Sequence, residues 1–154
     1  MIVVGLDPGR ATGWAVQGDD PNNHTCGTWD LRPKKWEDAA MVPFKLRKSL
    51  RELLESVEPA FLCYEEQRGT FRSRANALAF GRLEATITNV CKELEVPFAT
   101  VNPSTLKKHA TGKGNASKDL MAACLATTFG ITRTLSDDEV DAMWIAHYGR
   151  ATYG

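Results

Sequence analysis

Three stretches of the 154-residue chain place carboxylates where they could act together. Asp7 ends the apolar run MIVVGLD and is followed at once by Pro-Gly. Glu65 and Glu66 end another compact run, AFLCYEE. Asp138 and Asp141 stand three residues apart, on one face of a helical pattern that continues as AMWIA. Gathered carboxylates repel one another and destabilise a fold unless a cation neutralises them. An all-oxygen donor set favours Mg²⁺, with Mn²⁺ able to substitute, over zinc. Two such ions about 3.5–4 Å apart clamp the attacking and leaving oxygens of a phosphodiester displacement and activate a water. That chemistry needs no serine, cysteine or histidine nucleophile, and the chain's three histidines stand in no triad-like context.

Each acid also has a plainer reading. Asp-Pro-Gly is a turn signature, so Asp7 alone would serve its own loop. Glu65 and Glu66 alone would be the polar end of a strand. Asp138 suits the first turn of a helix, where the macrodipole favours negative charge. Asp141 resists such a reading, because an acid entering an apolar helix needs a partner or a metal. The set of acids, in this order, is far more specific than any one of them.

The elements that must position these acids can be read from pattern. Residues 2–7, 12–17 and 24–30 read as three strands joined by short turn-rich loops, an antiparallel meander. Leu46, Leu50, Leu53, Leu54 and Val57 recur at helical spacing, with Pro43 either in the first turn of that helix or kinking a longer one. A strand over 60–66, a helix over 72–95 and a strand over 97–101 follow. NPSTLKKH begins as a short helix and loosens into a Gly-containing loop. Helices over about 117–130 and 136–150 close the chain, the last opened by a Ser136/Glu139 capping box. The predicted class is α/β: a mixed five-stranded sheet, three strands in an antiparallel meander and two parallel, flanked by helices. If the first and fourth strands are parallel neighbours, Asp7 and one of the two glutamates emerge at the same sheet edge.

The composition is that of an ordinary globular protein, 43% hydrophobic and 25% charged, and the length suits a single domain over residues 1–154. No run is long and apolar enough to span a membrane, and the N-terminus carries no signal-peptide pattern. The expected location is therefore the cytoplasm. Cys26, Cys63, Cys91 and Cys124 lack metal-binding spacing and read as reduced core thiols. A formal net charge of zero hides a strong asymmetry: residues 67–118 hold 9 basic and 3 acidic side chains, whereas 1–66 hold 8 and 11, and 119–154 hold 2 and 5. A basic middle flanked by acidic ends can present one positive face beside a cluster of carboxylates, and a solvated surface gives the same asymmetry. Lys107, Lys108, Lys113 and Lys118 occur with no acid between residues 97 and 118 and are interleaved with Gly112, Gly114 and Asn115. Such an open backbone can approach phosphates that the lysines neutralise. Arg68, Arg72 and Arg74 surround Phe71 in the same basic region.

Taken in order, GLDPGRATGWAV, FLCYEEQ, LKKHATGKGNASK and DDEVDAMWIA resemble the RuvC-type Holliday junction resolvases of the RNase H-like nuclease superfamily, over nearly the whole chain. The resemblance implies an RNase H-like fold and a Mg²⁺-dependent endonuclease that acts as a homodimer on four-way DNA, nicking two strands symmetrically. By position it makes Asp7, Glu65, Asp138 and Asp141 the metal-binding acids; strand alternation alone leaves Glu66 open as the alternative to Glu65. It makes Lys107 and Lys118 DNA-contacting lysines. It also implies an exposed aromatic near Phe71 that stacks on or parts bases at the crossover, with a core position the alternative for Phe71 itself. The segment QRGTFRSR departs from the bacterial pattern in its extra arginines, which suits a phage-encoded member acting in the host cytoplasm. Rival readings are a related nuclease acting on flaps, forks or RNA–DNA hybrids, and a junction-binding protein that does not cut. An ATP-binding fragment of the actin-like class would require a second phosphate-binding motif.

Overall fold

The computed structural model describes residues 1–20, 22–67 and 71–154. Five strands, β1 (Val3–Asp7), β2 (Ala11–Gln17), β3 (His24–Asp30), β4 (Phe61–Glu65) and β5 (Phe98–Val101), form one sheet in the order β3-β2-β1-β4-β5. β1 pairs antiparallel with β2, and β2 with β3; β1 pairs parallel with β4, and β4 with β5. This is the predicted meander extended by two parallel strands. The five helices are α1 (Met41–Val57), α2 (Arg74–Glu93), α3 (Pro103–Thr111), α4 (Lys118–Phe129) and α5 (Asp137–Tyr153).

The helices cover both faces of the sheet, as crossovers between parallel strands require. On one face, Leu46, Leu50 and Leu54 of α1 and Leu83, Ile87 and Val90 of α2 pack on Val4, Leu6, Leu62 and Tyr64. On the other, α5 lies directly over the strands, with α3 and α4 outside it; Leu106, Met121, Leu125, Met143 and Ile145 join Ala15, Cys63 and Val101 there. α5 is covered on almost every side, which is why its sequence is apolar with little one-sided periodicity: Val140, Ala142, Met143, Trp144, Ile145, Ala146 and Gly149 are all buried.

Local signals explain the boundaries. Pro43 lies in the first turn of α1. Ser73, Asn102, Ser117 and Ser136 each accept a backbone N–H at the start of the helix they precede. Both halves of the Ser136/Glu139 capping box are present: the Ser136 Oγ accepts from the Glu139 N–H at 3.2 Å, and the Glu139 Oε1 from the Ser136 N–H at 3.1 Å. The short helix expected at NPSTLKKH is a full nine residues, stopped at Gly112, whose φ of 82° suits only glycine without strain. Cys63 and Cys91 are core residues as expected, whereas Cys26 and Cys124 are only half-buried. Among the described residues, no helix is long and apolar enough to cross a membrane.

Candidate active site

Asp7 is the last residue of β1, and the Pro-Gly that follows does turn the chain. The turn is held by a different side chain, however. The buried Thr12 hydroxyl donates to the Gly9 carbonyl at 2.6 Å and accepts from the Gly9 N–H at 3.2 Å. The Asp7 carboxylate is thereby released from loop duty.

Strand register decides between the two glutamates. Val3 lies opposite Phe61, and the pairing runs without a bulge to Leu6 opposite Tyr64, so one step further sets Asp7 beside Glu65. Side chains alternate between faces along a strand. Gly5 and Cys63 lie under α5, and Asp7 and Glu65 therefore share that face. Leu62 and Tyr64 belong to the opposite face. Glu66 follows Tyr64's side, where its Oε2 accepts from the Thr100 hydroxyl at 3.0 Å.

α5 brings the remaining acids across. It can do so because three glycines remove the side chains that would hold it off. A Cβ on Gly13 would overlap the Asp138 carbonyl oxygen; one on Gly5 would overlap the Ala142 oxygen and Ala146 nitrogen; and one on Gly149 would stand 2.9 Å from the Cys63 Cβ. The first turn of α5 thus rests on β2 beside the end of β1. The Asp7 side chain is close enough to act on the Asp138 carboxyl.

The electrostatics are those of crowded anions. Burial, then the charges of Glu65, Asp141 and Asp138, push the Asp7 carboxyl up to about 8. Burial and the Asp141 charge push Glu65 up to about 7, with Lys107 opposing. Burial pushes Asp141 up to about 6 against the pull of Lys118, and raises Asp138 as well. Among the described residues no three carboxylate, imidazole or thiol groups already stand as a closed ligand set. The donor chemistry nevertheless fits a hard divalent cation: oxygen only, anionic, partly buried and mutually repelling, so that a cation would relieve what the fold imposes.

The basic residues surround this centre to different degrees. Lys118, the first residue of α4, acts electrostatically on Asp7, Asp138 and Asp141 while its Nζ lies 3.3 Å from the Asp137 carboxylate. Lys107, half-buried on α3, acts on Glu65 and Asp141; Lys108 and Lys113 point to solvent. α3 is tied to α5 by a 2.8 Å hydrogen bond between His109 and His147. Arg72 and Arg74 are exposed at the start of α2, and Arg68 lies outside the described residues. Phe71 belongs to neither core cluster. Its ring sits 6.1 Å from that of Phe80, in an open groove of about 630 Å³ shared with Arg10, Gln67, Arg72 and Asn76 beside the Asp7 turn. Arg10, Phe80 and Asp137 carried no distinctive sequence signal. A helical repeat makes Phe80 look like core, and Asp137 is masked by the acids that follow it.

The family model for "Crossover junction endodeoxyribonuclease RuvC" matches residues 3–148. The chain belongs to the RuvC family. Its relatives include a crossover junction endodeoxyribonuclease RuvC from Nitratidesulfovibrio vulgaris (Hildenborough), 27% identical over 147 residues that cover 93% of this chain and 86% of that protein. Another, from Chlorobium phaeovibrioides, is 27% identical over 152 residues covering 95% and 79%. The fold is shared with T. thermophilus RuvC solved in complex with a Holliday junction substrate, at a TM-score of 0.81 and 23% identity over 95% of this chain and 90% of that one. A more distant likeness, TM-score 0.56 at 16% identity over 97% and 99% of the two chains, is to a Fowlpox virus resolvase solved with its substrate Holliday junction DNA. RuvC-family nucleases depend on a divalent metal.

Proposed function

We propose that residues 1–154 work as one nuclease domain, a divalent-metal-dependent endodeoxyribonuclease that resolves four-way DNA junctions by paired nicks as a homodimer. The observation that carries this reading is the meeting of Asp7 and Glu65, on adjacent parallel strands, with Asp138 and Asp141 on the helix laid across them. These four acids would hold Mg²⁺, with Mn²⁺ a working substitute. Bound there, the ions supply Lewis-acid activation of water and charge neutralisation at the phosphodiester.

The chain's own residues supply the rest. Burial raises the pKa of all four carboxylates, so a bound cation would displace protons from them. Lys107 and Lys118 flank the acids and draw a phosphate toward them, while Lys108, Lys113, Arg72 and Arg74 neutralise flanking phosphates. The Phe71–Phe80 groove offers aromatic surface to a base unstacked at the branch point. Selection by branch geometry follows, since phosphates and an unstacked centre are accessible in four-way DNA while most base edges remain paired.

The test is cleavage of a synthetic four-way junction, a flap, a linear duplex and an RNA–DNA hybrid in Mg²⁺ and in Mn²⁺. Wild-type protein is expected to cut the junction most efficiently, and Asp7→Asn to bind it without cutting. Preferred cutting of flaps or hybrids would reassign the substrate. Junction binding without cutting in either metal would leave a binding protein only, and an Asp7→Asn variant that cuts normally would remove the metal-site assignment.

A further inference from the structure

The start of α5 carries two of the four acids, Asp138 in its first turn and Asp141 just beyond, yet it is the end of a helix, the part most prone to fray. Gly13 supports it from beneath. From the side it is held by a cluster of Glu139, Arg133, Cys26 and Thr28. Glu139 lies between Asp138 and Asp141 in sequence, and its side chain is only 17% exposed. One oxygen, Oε1, closes the capping box on the Ser136 N–H. The other, Oε2, faces Arg133 Nη1 at 3.7 Å and accepts from the Cys26 thiol of β3 at 3.5 Å. Arg133 Nη2 reaches the same sulfur at 3.3 Å, and the Thr28 hydroxyl of β3 lies 3.3 Å from that of Ser136. A plain cap requires only Oε1. The second oxygen instead joins the helix start to the sheet's edge strand and to the loop that delivers the helix.

We infer that Glu139 and Arg133 are positioning residues, which hold the first turn of α5 against β3 so that Asp138 and Asp141 meet Asp7 and Glu65 in a metal-binding arrangement. This rests on the metal-nuclease reading above. Since Arg133 is well exposed, the pair adds little to overall stability, and its effect falls on the placement of the acids.

Two substitutions separate placement from capping. Arg133→Ala removes the pair and leaves both cap hydrogen bonds. Glu139→Gln retains an amide oxygen for the Ser136 N–H but loses the charge facing Arg133. Three quantities are measured on the full chain: thermal midpoint, Mn²⁺ binding without DNA from the electron paramagnetic resonance signal of free Mn²⁺, and the Mg²⁺ concentration for half-maximal junction cleavage. Both variants are expected to keep the wild-type midpoint while Mn²⁺ affinity falls about 10-fold and half-saturating Mg²⁺ rises to match, the usual scale for groups that orient metal ligands. Arg133→Lys should recover most of the loss. Wild-type metal binding in both variants would overturn the inference, as would losses that appear only with a lowered midpoint. A wild-type protein that binds Mn²⁺ but cuts no junction would instead fault the functional reading and leave the positioning role standing.

Discussion

Gly13 of β2 lies so close beneath Asp138 that any side chain at position 13 would occupy the space of the Asp138 carbonyl oxygen. The sheet and the acid-bearing helix meet backbone to backbone, and the acid at the helix start inherits its position from a residue that has no side chain.

Gly13→Ala is therefore expected to lift the start of α5, costing about 1–3 kcal/mol as an overpacked contact and abolishing most junction cleavage. Gly81→Ala is the control. A Cβ there meets nothing within 4 Å, and the position is an exposed helix interior, so about 0.5–1 kcal/mol of stabilisation is expected. Urea denaturation of the two variants checks both signs. Equal destabilisation by the two would show that α5 does not rest on Gly13.

Glu65 and Glu66 are neighbours in the chain but stand on opposite sheet faces. Glu65→Gln is expected to reduce junction cleavage by about 100-fold or more, the scale seen when a group that stabilises the reacting charge is removed. Glu66→Gln, on the face away from Asp7 where its side chain meets Thr100, should stay within a few-fold of wild type. Single-turnover cleavage distinguishes them, and the reverse ranking would mean that the β1–β4 register is misassigned.

The acids should make metal-free protein less stable as pH rises. Asp7 sits at about 8 in the fold against an ordinary 3.8, and Glu65 at about 7 against 4.5, so the folded state holds protons that the unfolded state has released. Stability then falls with increasing pH until the folded groups themselves ionise. The window from pH 6.5 to 8 isolates this effect. Burial lowers His109 and His147, and their contribution is already fully present above their unfolded pKa and is lost only as pH falls below it. In EDTA, the thermal midpoint should drop by about 3 °C or more across the window. Asp7→Asn should flatten that drop, and added Mg²⁺ should raise the midpoint more at pH 8 than at pH 6.5. A midpoint that rises with pH in EDTA would contradict the sign.

Junction binding should lose counterion dependence residue by residue. Lys108→Ala and Lys113→Ala, both exposed, are each expected to reduce the slope of log affinity against log salt by about 0.9 in Ca²⁺ or EDTA, where no cutting occurs. Lys35→Ala, exposed in the segment between β3 and α1, should leave the slope unchanged. Three equal slopes would place the phosphates elsewhere.

Much of this protein was legible in order and pattern. Apolar runs ending in acids, the Ser136/Glu139 capping box and the spacing of Asp138 and Asp141 are local properties, and local chemistry is enough to predict strands, helix starts and which residue types could hold a cation. Other features depend on how distant segments pack. The Asp-Pro-Gly pattern assigns Asp7 to its own turn; only the fold shows Thr12 in that role. The basic middle is consistent with a phosphate-gripping side, yet it could not reveal that Lys118 pairs with Asp137 while acting on Asp7, Asp138 and Asp141.

By itself, the sequence determined which elements form, which carboxylates end them and the sign of the charge around them, because each of these follows from residues close in the chain. The tertiary structure alone decided that Glu65 rather than Glu66 stands beside Asp7, and that Asp141 acts on them both. Those outcomes depend on a one-residue strand register, where a single step reverses the face of every side chain, and on three glycines that let α5 settle directly on the sheet.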